Sequence, residues 1–291
     1  MGEDANVAEE NRSRFAEEVR QRRPDLALLC LLISVEAVAH GRAGATRREA
    51  EALVDGAQAE LDRLAGQLPY RRGRTPREWA EALRALLGGQ SGFRGAVEDY
   101  RRLDSSLLDA VLERRRGLPI LLSVVWIEVA RRAGAPVYAV ALPGHFTVGF
   151  GEPGGEHVLA DPFDGGRLLT DEEAEVLVAG VTGRRTPLSP AVLQPAGPDE
   201  VVLRILNNIR AWAAERPEHS AVRLWAIDLS LLLPHHPAQL RYERARLLVE
   251  RGEFARGAAE MEEYASVVAT MEPNAAEAVR RAARAARARL N

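Results

Sequence analysis

The hydrophobic pattern is densest between residues 117 and 134, and this stretch predicts a buried central helix. Ahead of the last turn only Ser123 and Glu128 are polar, so nearly every face of the helix is apolar. Pro119 suits the first helical turn, because the N–H that proline lacks would have no helical partner there. Gly134 suits the left-handed residue that ends the helix.

Four short segments rich in β-forming residues follow the helix and predict a small antiparallel sheet. They are residues 137–142, 145–150, 157–161 and 167–169. If Phe150 pairs with His157 across the Gly-rich turn, His145 lies opposite Asp161 or Pro162. Opposite residues in an antiparallel pair have β-carbons about 4.5–5.5 Å apart. The pattern therefore predicts that His145 and Asp161 lie within hydrogen-bonding reach.

Apolar residues at helical spacing predict helices on both sides of this core. Residues 1–12 are polar and are expected to fray. The predicted helices before the core are 24–40, 46–68, 75–87 and a short one after Asp104, and those after it are 201–212, 221–233, 239–250, 254–268 and 275–290. The later helices form two loosely matching pairs at an offset of about 37–39 residues, against roughly 34 for a tetratricopeptide unit. Two units are few for a free-standing array, so we expect the tail to depend on the first domain.

Composition limits the functions that are worth considering. The chain has 291 residues, 46% hydrophobic, with a net charge of −3, which indicates a soluble globular protein and gives no reason to expect nucleic acid or a membrane surface as a partner. The longest apolar run is too short to span a bilayer, and the acidic start does not resemble a signal peptide, so the cytoplasm is the expected compartment. A single cysteine excludes an internal disulfide. No metal or cofactor is expected, even at the His235–His236 pair, because adjacent histidines need further ligands.

Three motifs together resemble a known family. RRRGLPILLS, LPGHF and DPFDGGRLLT are similar to segments of the SirB family, which has a transglutaminase-like core followed by tetratricopeptide-like helices. The resemblance covers roughly residues 25–290. It implies an α+β fold with a helical N-terminal region, a papain-like core in which the central helix packs on a small antiparallel sheet, and C-terminal helical hairpins. The expected domains are 1–180 and 200–291, joined by a linker at 181–199.

The resemblance also implies a catalytic triad, and the sequence departs from it at one position. In active transglutaminase-like enzymes the nucleophilic cysteine begins the central helix, about fifteen residues before its terminal glycine. Counted back from Gly134, that position is Pro119, which has no nucleophilic side chain. His145 and Asp161 match the other two triad positions. Cys30 lies in an apolar helix and is expected to be buried and inert.

Further residues are candidates for the rim of a pocket beside His145. They are Arg116, Gly117, Ser123, Gly144 and Phe163. Ser123, one turn into the helix, is also the one conceivable substitute nucleophile. The run Arg114–Arg116 has two interpretations, as cations at a helix C-terminus or as an anion-binding rim. The GGQSG segment after residue 87 lacks the Lys-Ser/Thr of a phosphate-binding loop and is interpreted as a connector.

Two functions from different classes fit the sequence. The first is a non-catalytic module that holds a protein partner through residues 200–291, with Asp161 capping a turn and His145 filling a polar notch. The second is a cofactor-free enzyme, of hydrolase or cyclase type, that uses His145, oriented by Asp161, as a general base on a small substrate. The first is preferred, because Pro119 replaces the nucleophile.

Overall fold

The computed structural model describes residues 2–41, 45–183 and 192–290. It divides into two compact units, residues 1–208 and 209–291. The helices of the first unit are α1 (Gly2–Glu18), α2 (Leu26–Gly41), α3 (Arg47–Gly66), α4 (Pro76–Leu83), α5 (Leu108–Arg114), α6 (Pro119–Arg132) and α7 (Asp171–Thr182). Helix α8 (Pro198–Ala214) begins in the first unit and ends in the second. The predicted α+β fold is confirmed.

The predicted central helix is α6, and it is buried along most of its length. Residues 119–130 are all buried, including Ser123 and Glu128. Helices α2, α3 and α5 pack around it, and the first two strands of the sheet pack on it as well. Glu128 is held by Arg132 at 2.5 Å and by Arg131 at 3.4 Å, which offsets the cost of burying its charge. Burial nevertheless raises the pKa of the Glu128 carboxyl.

The sheet is antiparallel with its strands in chain order. Its strands are β1 (Val137–Val140), β2 (Thr147–Gly151), β3 (His157–Asp161) and β4 (Arg167–Leu169). The sheet carries an apolar cluster that includes Tyr138 and Leu159 and that Ala174 and Val178 of α7 complete. A central helix and a small sheet therefore form the core that the SirB resemblance implied.

The predicted strand register is wrong by one residue. His157 pairs with Gly151, not with Phe150, and Phe150 pairs with Val158. Gly151 has a φ of +102°, a backbone conformation that glycine adopts without strain, so the strand continues one residue further before the turn. His145 is also not in a strand, because β2 begins only at Thr147.

Capping residues set three of the helix starts in the first unit. Thr46, Thr75 and Thr170 each cap a helix, and a glutamate three residues later bonds back to the cap, which satisfies two exposed backbone donors at once. One local prediction is wrong. Residues 2–12 do not fray but belong to α1, whose Asn11 donates to the Leu32 carbonyl at 3.0 Å and to Glu36 at 2.8 Å.

The second unit is helical. It contains the end of α8 and then α9 (Ser220–Leu232), α10 (Gln239–Glu250), α11 (Phe254–Val268) and α12 (Pro273–Ala288). The predicted tail helices are therefore confirmed to within three residues. Small side chains fill the space between α10, α11 and α12: the buried cluster is Ala245, Ala258, Met261, Ala265, Ala276, Val279, Ala283 and Ala286.

The predicted linker, residues 181–199, falls within the first unit and is only partly described. Ala196 donates to the Ala139 carbonyl at 3.0 Å, and Pro195 forms an isolated bridge with Val140, so the end of this segment lies along β1. The linker at 181–199 stays a prediction, because residues 184–191 are outside the described ranges. Nowhere in those ranges is a helix both long and apolar enough to cross a bilayer.

Candidate functional site

The structure places His145 beside Asp161. His145 lies in the connection between β1 and β2, where its backbone N–H donates to the Leu142 carbonyl at 3.2 Å. Its Nε2 is 3.0 Å from Oδ2 of Asp161, and the two side chains are only 12% and 5% exposed. The turn after Leu142, rather than strand pairing, therefore brings the imidazole to the carboxylate.

The two atoms are close without forming an aligned hydrogen bond. The 3.0 Å separation is that of an ion pair. Buried Nε2 nevertheless has no hydrogen-bond partner when the direction of the ring N–H is considered. A ring N–H is fixed in the plane of the imidazole, so a short distance alone does not make a hydrogen bond. The imidazole and the carboxylate are therefore adjacent, and the dyad stays a prediction.

Asp161 divides its two oxygens between two tasks. Oδ1 accepts the Phe163 backbone N–H at 2.9 Å and so caps the short 3-10 turn Pro162–Asp164. Oδ2 faces His145. The Asp161 carbonyl also accepts the Gly166 N–H at 2.7 Å, which closes the turn. The capping contact that the sequence left as one alternative is present, and the second oxygen faces the imidazole.

A cavity of about 220 Å³ opens beside His145. Its lining residues come from four separated stretches of the first unit: Tyr100, Pro119, Ile120, Gly144, His145, Phe146, Arg204, Asn207 and Asn208. Ligand pockets in proteins usually measure roughly 300–1,000 Å³. The space beside His145 is therefore neither filled by side chains nor as large as a usual substrate pocket.

Pro119 is the first residue of α6 and lines this cavity together with His145. It therefore occupies the helix start at which the family resemblance places a cysteine. Cys30 lies in α2 with 1% exposure, and burial raises the pKa of its thiol well above the ordinary value. The Ser123 side chain is fully buried, and its hydroxyl donates to the Phe146 carbonyl at 3.3 Å. Ser123 is thus unsuited to act as a substitute nucleophile.

Only part of the predicted rim lies at the cavity. Gly144 lines it, and the ring of Phe163 is 6.2 Å from the ring of His145 and perpendicular to it. Arg116, Gly117 and Ser123 are not among the lining residues. The prediction of Ser123 as a rim residue fails because its hydroxyl points into the core, and that of Gly117 because a β-carbon there would meet Val111.

The three consecutive arginines are engaged in ion pairs. Arg114 and Arg116 both approach buried Asp99, at 3.5 and 3.2 Å. Arg115 pairs with Glu60 and lies over the ring of Phe93 at 4.6 Å. Hydrogen bonds from Arg63 and Arg115 lower the pKa of the Glu60 carboxyl to about 2 despite some burial. These partners make the anion-binding interpretation of the cluster the weaker one.

The GGQSG segment is more than a connector. Its first residues belong to a π-helical turn, Arg84–Gln90, a distortion that is frequent at functional sites. A β-carbon on Gly88 would lie 1.9 Å from the Gly165 carbonyl oxygen, and one on Gly95 would lie 1.9 Å from the Phe163 ring. Gly95 also donates to the Phe163 carbonyl at 2.9 Å. The two close approaches fix the turn that carries Phe163 toward His145.

The sequence did not reveal several residues of the cavity. Tyr100 comes from a 3-10 turn, and Phe146 directly follows His145. Arg204, Asn207 and Asn208 are three and four residues apart on α8, which puts them on one face of that helix. That spacing was the one available signal. Nothing in the sequence, however, indicated that this face lies at the cavity.

Arg204 also ties α8 to the loop that carries His145. Its guanidinium donates to the carbonyls of Leu142 and Ala141, at 3.3 and 3.5 Å. The Leu142 carbonyl is the same one that accepts the His145 N–H. Glu200, one turn earlier on α8, lies 3.6 Å from the Arg204 Nε.

Comparisons with known proteins agree with this architecture. The family model of the transglutaminase-like superfamily matches residues 50–207, and a tetratricopeptide repeat model matches residues 209–291. The chain belongs to the transglutaminase-like superfamily and carries tetratricopeptide-type helices after that core.

Individual relatives narrow the class further. A UPF0162 protein of Xylella fastidiosa is 36% identical over 163 residues, which cover 55% of this chain and 58% of the relative. Protein SirB1 of Salmonella typhimurium is 28% identical over 193 residues, or 66% of this chain and 68% of SirB1. The resemblance to the SirB family is confirmed, and the chain matches less than two thirds of the Xylella protein. A solved structure of menin covers 93% of this chain at 13% identity, with a TM-score of 0.40 that supports no argument.

Proposed function

We propose that this chain is a binding module in which a transglutaminase-like core has no catalytic nucleophile and the tetratricopeptide-type helices hold a protein partner. The observation that supports this most is Pro119 at the start of α6, on the same cavity as His145. Acyl transfer of the cysteine type needs a thiolate that the helix N-terminus and a neighbouring histidine activate. Proline cannot supply it.

Other nucleophiles on the cavity are poor. Tyr100 carries the one hydroxyl among the lining residues, and its pKa is raised by burial and by the negative charge of Asp161. Its phenol therefore stays protonated and weakly nucleophilic near neutral pH. Cys30 and Ser123 are enclosed in the core. The unaligned Nε2 of His145 is a further argument against an oriented triad.

Restoring the missing thiol tests the proposal directly. In a Pro119→Cys variant we expect a new thiol whose pKa, read from the pH dependence of its alkylation by iodoacetamide, lies below the usual value of about 8.5. Adding His145→Ala should return that pKa toward the ordinary value. Buried Cys30 provides the unreactive background in every sample. We expect the unaltered chain to transfer no acyl group from a glutamine peptide or an ester to hydroxylamine.

Turnover by the unaltered chain would overturn the proposal if His145→Ala and Asp161→Asn both abolished it while the circular dichroism spectrum stayed the same. That outcome would support the second candidate, a cofactor-free enzyme with His145 as general base. The observation in its favour is the 3.0 Å separation of Nε2 and Oδ2 beside an open cavity. A positioned base contributes about 10²–10⁴-fold in rate.

The partner-binding half of the proposal concerns residues 200–291. Val267 and Met271 are large apolar side chains that are 64% and 86% exposed, at the end of α11 and just beyond it, so both are accessible to a partner. In the full chain we expect Val267→Asp with Met271→Asp to release a co-purifying protein. Tyr70→Asp, at 92% exposure in the first unit, is the matched control and should retain it. His145→Ala should retain it too, and loss of the partner with that change would count against the proposal.

A further inference from the structure

The cavity beside His145 is lined by both apolar and polar residues. Pro119, Ile120 and Phe146 provide its apolar lining. Its polar lining comes from Tyr100, His145 and three side chains of α8 that carry N–H donors, namely Arg204, Asn207 and Asn208. Among the lining residues there is no aspartate or glutamate. A ligand with acceptor oxygens and a small apolar group can use both kinds of lining residue.

The electrostatics of the lining favour a negative ligand. Arg204 brings a permanent positive charge, which Glu200 at 3.6 Å offsets only in part. Helix α6 begins at the cavity, and its N-cap residue Leu118 has no side-chain capping bond, so the positive end of the helix dipole is not neutralised there. Nε2 of His145 has no aligned hydrogen-bond partner, although Oδ2 of Asp161 lies 3.0 Å away and brings a negative charge behind the ring. The lining itself is rich in donors, with Arg204 as its permanent charge.

We propose that this cavity binds a carboxylate group that carries a short apolar chain, with Asn208 of α8 as a recognition residue. The inference goes beyond the proposed function, because it assigns a ligand to the cavity in the first unit and not to the tail helices. The volume of about 220 Å³ limits the occupant to a few heavy atoms. The carboxylate can come from a free short-chain acid or from the C-terminal residue of a polypeptide, and the two sources share the same recognition chemistry.

Sodium butyrate is the probe for the first source. Titrated into the isotopically labelled full chain, it should move the NMR signals of the His145 ring and the Asn208 side-chain amide in a saturable way. Butyramide has the same shape without the charge and should bind about tenfold more weakly or worse, since charge-assisted hydrogen bonds are the stronger ones. Butylamine, with the opposite charge, should not bind.

A single isosteric change tests the role of α8. Asn208 is exposed, so Asn208→Asp should leave the fold intact while it adds a negative charge to the lining, and butyrate affinity should fall about tenfold or more. Asn274→Asp makes the same substitution at an exposed position in α12 and is the matched control, with butyrate affinity unchanged. The backbone amide spectrum of each variant shows directly whether it is folded.

The second source is tested with the tripeptide Gly-Gly-Val and its C-terminal amide. Binding of the free acid but not of the amide assigns a polypeptide C-terminus, whereas binding of butyrate alone assigns a free acid, and either result supports the proposal. Equal affinity for butyrate and butyramide, no binding of any of these acids, or unchanged affinity in Asn208→Asp would overturn it. None of these binding measurements detects turnover, whereas the acyl-transfer assay does. Failure of the ligand proposal is therefore distinguishable from failure of the proposed function.

Discussion

Two cores of the molecule, the one around α6 and the one within the α10–α12 stack, differ in the size of the side chains that they bury. Around α6, large side chains such as Trp126 and Phe93 fill the space, and polar groups such as Ser123 and Glu128 are buried among them. Between α10, α11 and α12 most of the buried side chains are alanine. Large side chains can fill the unequal gaps between irregular turns. The candidate site lies among such turns. Small side chains let helices approach each other closely.

The largest effect should follow from removing volume beside α6. Leu122 is completely buried, so Leu122→Ala should lower the free energy of unfolding by about 2–5 kcal/mol through lost transfer energy and a residual cavity. Urea denaturation followed by circular dichroism measures it. A loss below about 1 kcal/mol would show that this core is loosely packed and would remove the basis of the comparison.

A smaller effect should follow from adding one carbon at the π-helical turn. A β-carbon on Gly88 meets the Gly165 backbone oxygen at 1.9 Å, whereas one on Gly89 finds only the Arg84 oxygen at 3.8 Å. Gly88→Ala should therefore cost about 1–3 kcal/mol and shift the NMR signals of Phe163 and His145. Gly89→Ala, the adjacent control, should do neither. Similar spectra for the two variants would show that this turn does not position Phe163 and His145.

The smallest of the three effects belongs to the tail. Ala258 is fully buried in the alanine cluster, and Ala258→Leu should cost about 1–2 kcal/mol because the neighbouring helix must move away. Ala259 is exposed, so Ala259→Leu should be close to neutral. Amide hydrogen exchange within α10–α12 measures both. If the buried change cost nothing, the close approach of these helices would not depend on alanine.

Local signals in the sequence were sufficient for most of the helices, but not for the start of α1. Capping residues and apolar spacing predicted α6 and the tail helices to within a few residues, because both depend on neighbours along the chain. The sheet was predicted as well, but its register was missed by one residue, since Gly151 extends β2 before the turn. The site was predicted in part. His145 and Asp161 are adjacent, although a turn rather than a strand pairing brings them together.

What the sequence could not provide were contacts between distant segments. Tyr100, His145 and Asn208 line one cavity but come from separate parts of the chain with no shared motif. The same holds for Gly88 and Gly165, whose contact gives the GGQSG segment its role. Such residues become visible only when packing is known, because each has an ordinary local environment in the sequence.

The two separate tasks of Asp161 have a consequence for how such proteins diverge. One oxygen accepts the hydrogen bond of the Phe163 amide. This capping bond stabilises the turn whether or not the protein is catalytic. An ancestor that gave up its thiol would therefore still be penalised for replacing this acid, since the turn would lose its cap. A histidine and an aspartate that remain adjacent in a descendant are thus explained by the fold as well as by catalysis. Their presence alone is not a reason to assign an activity.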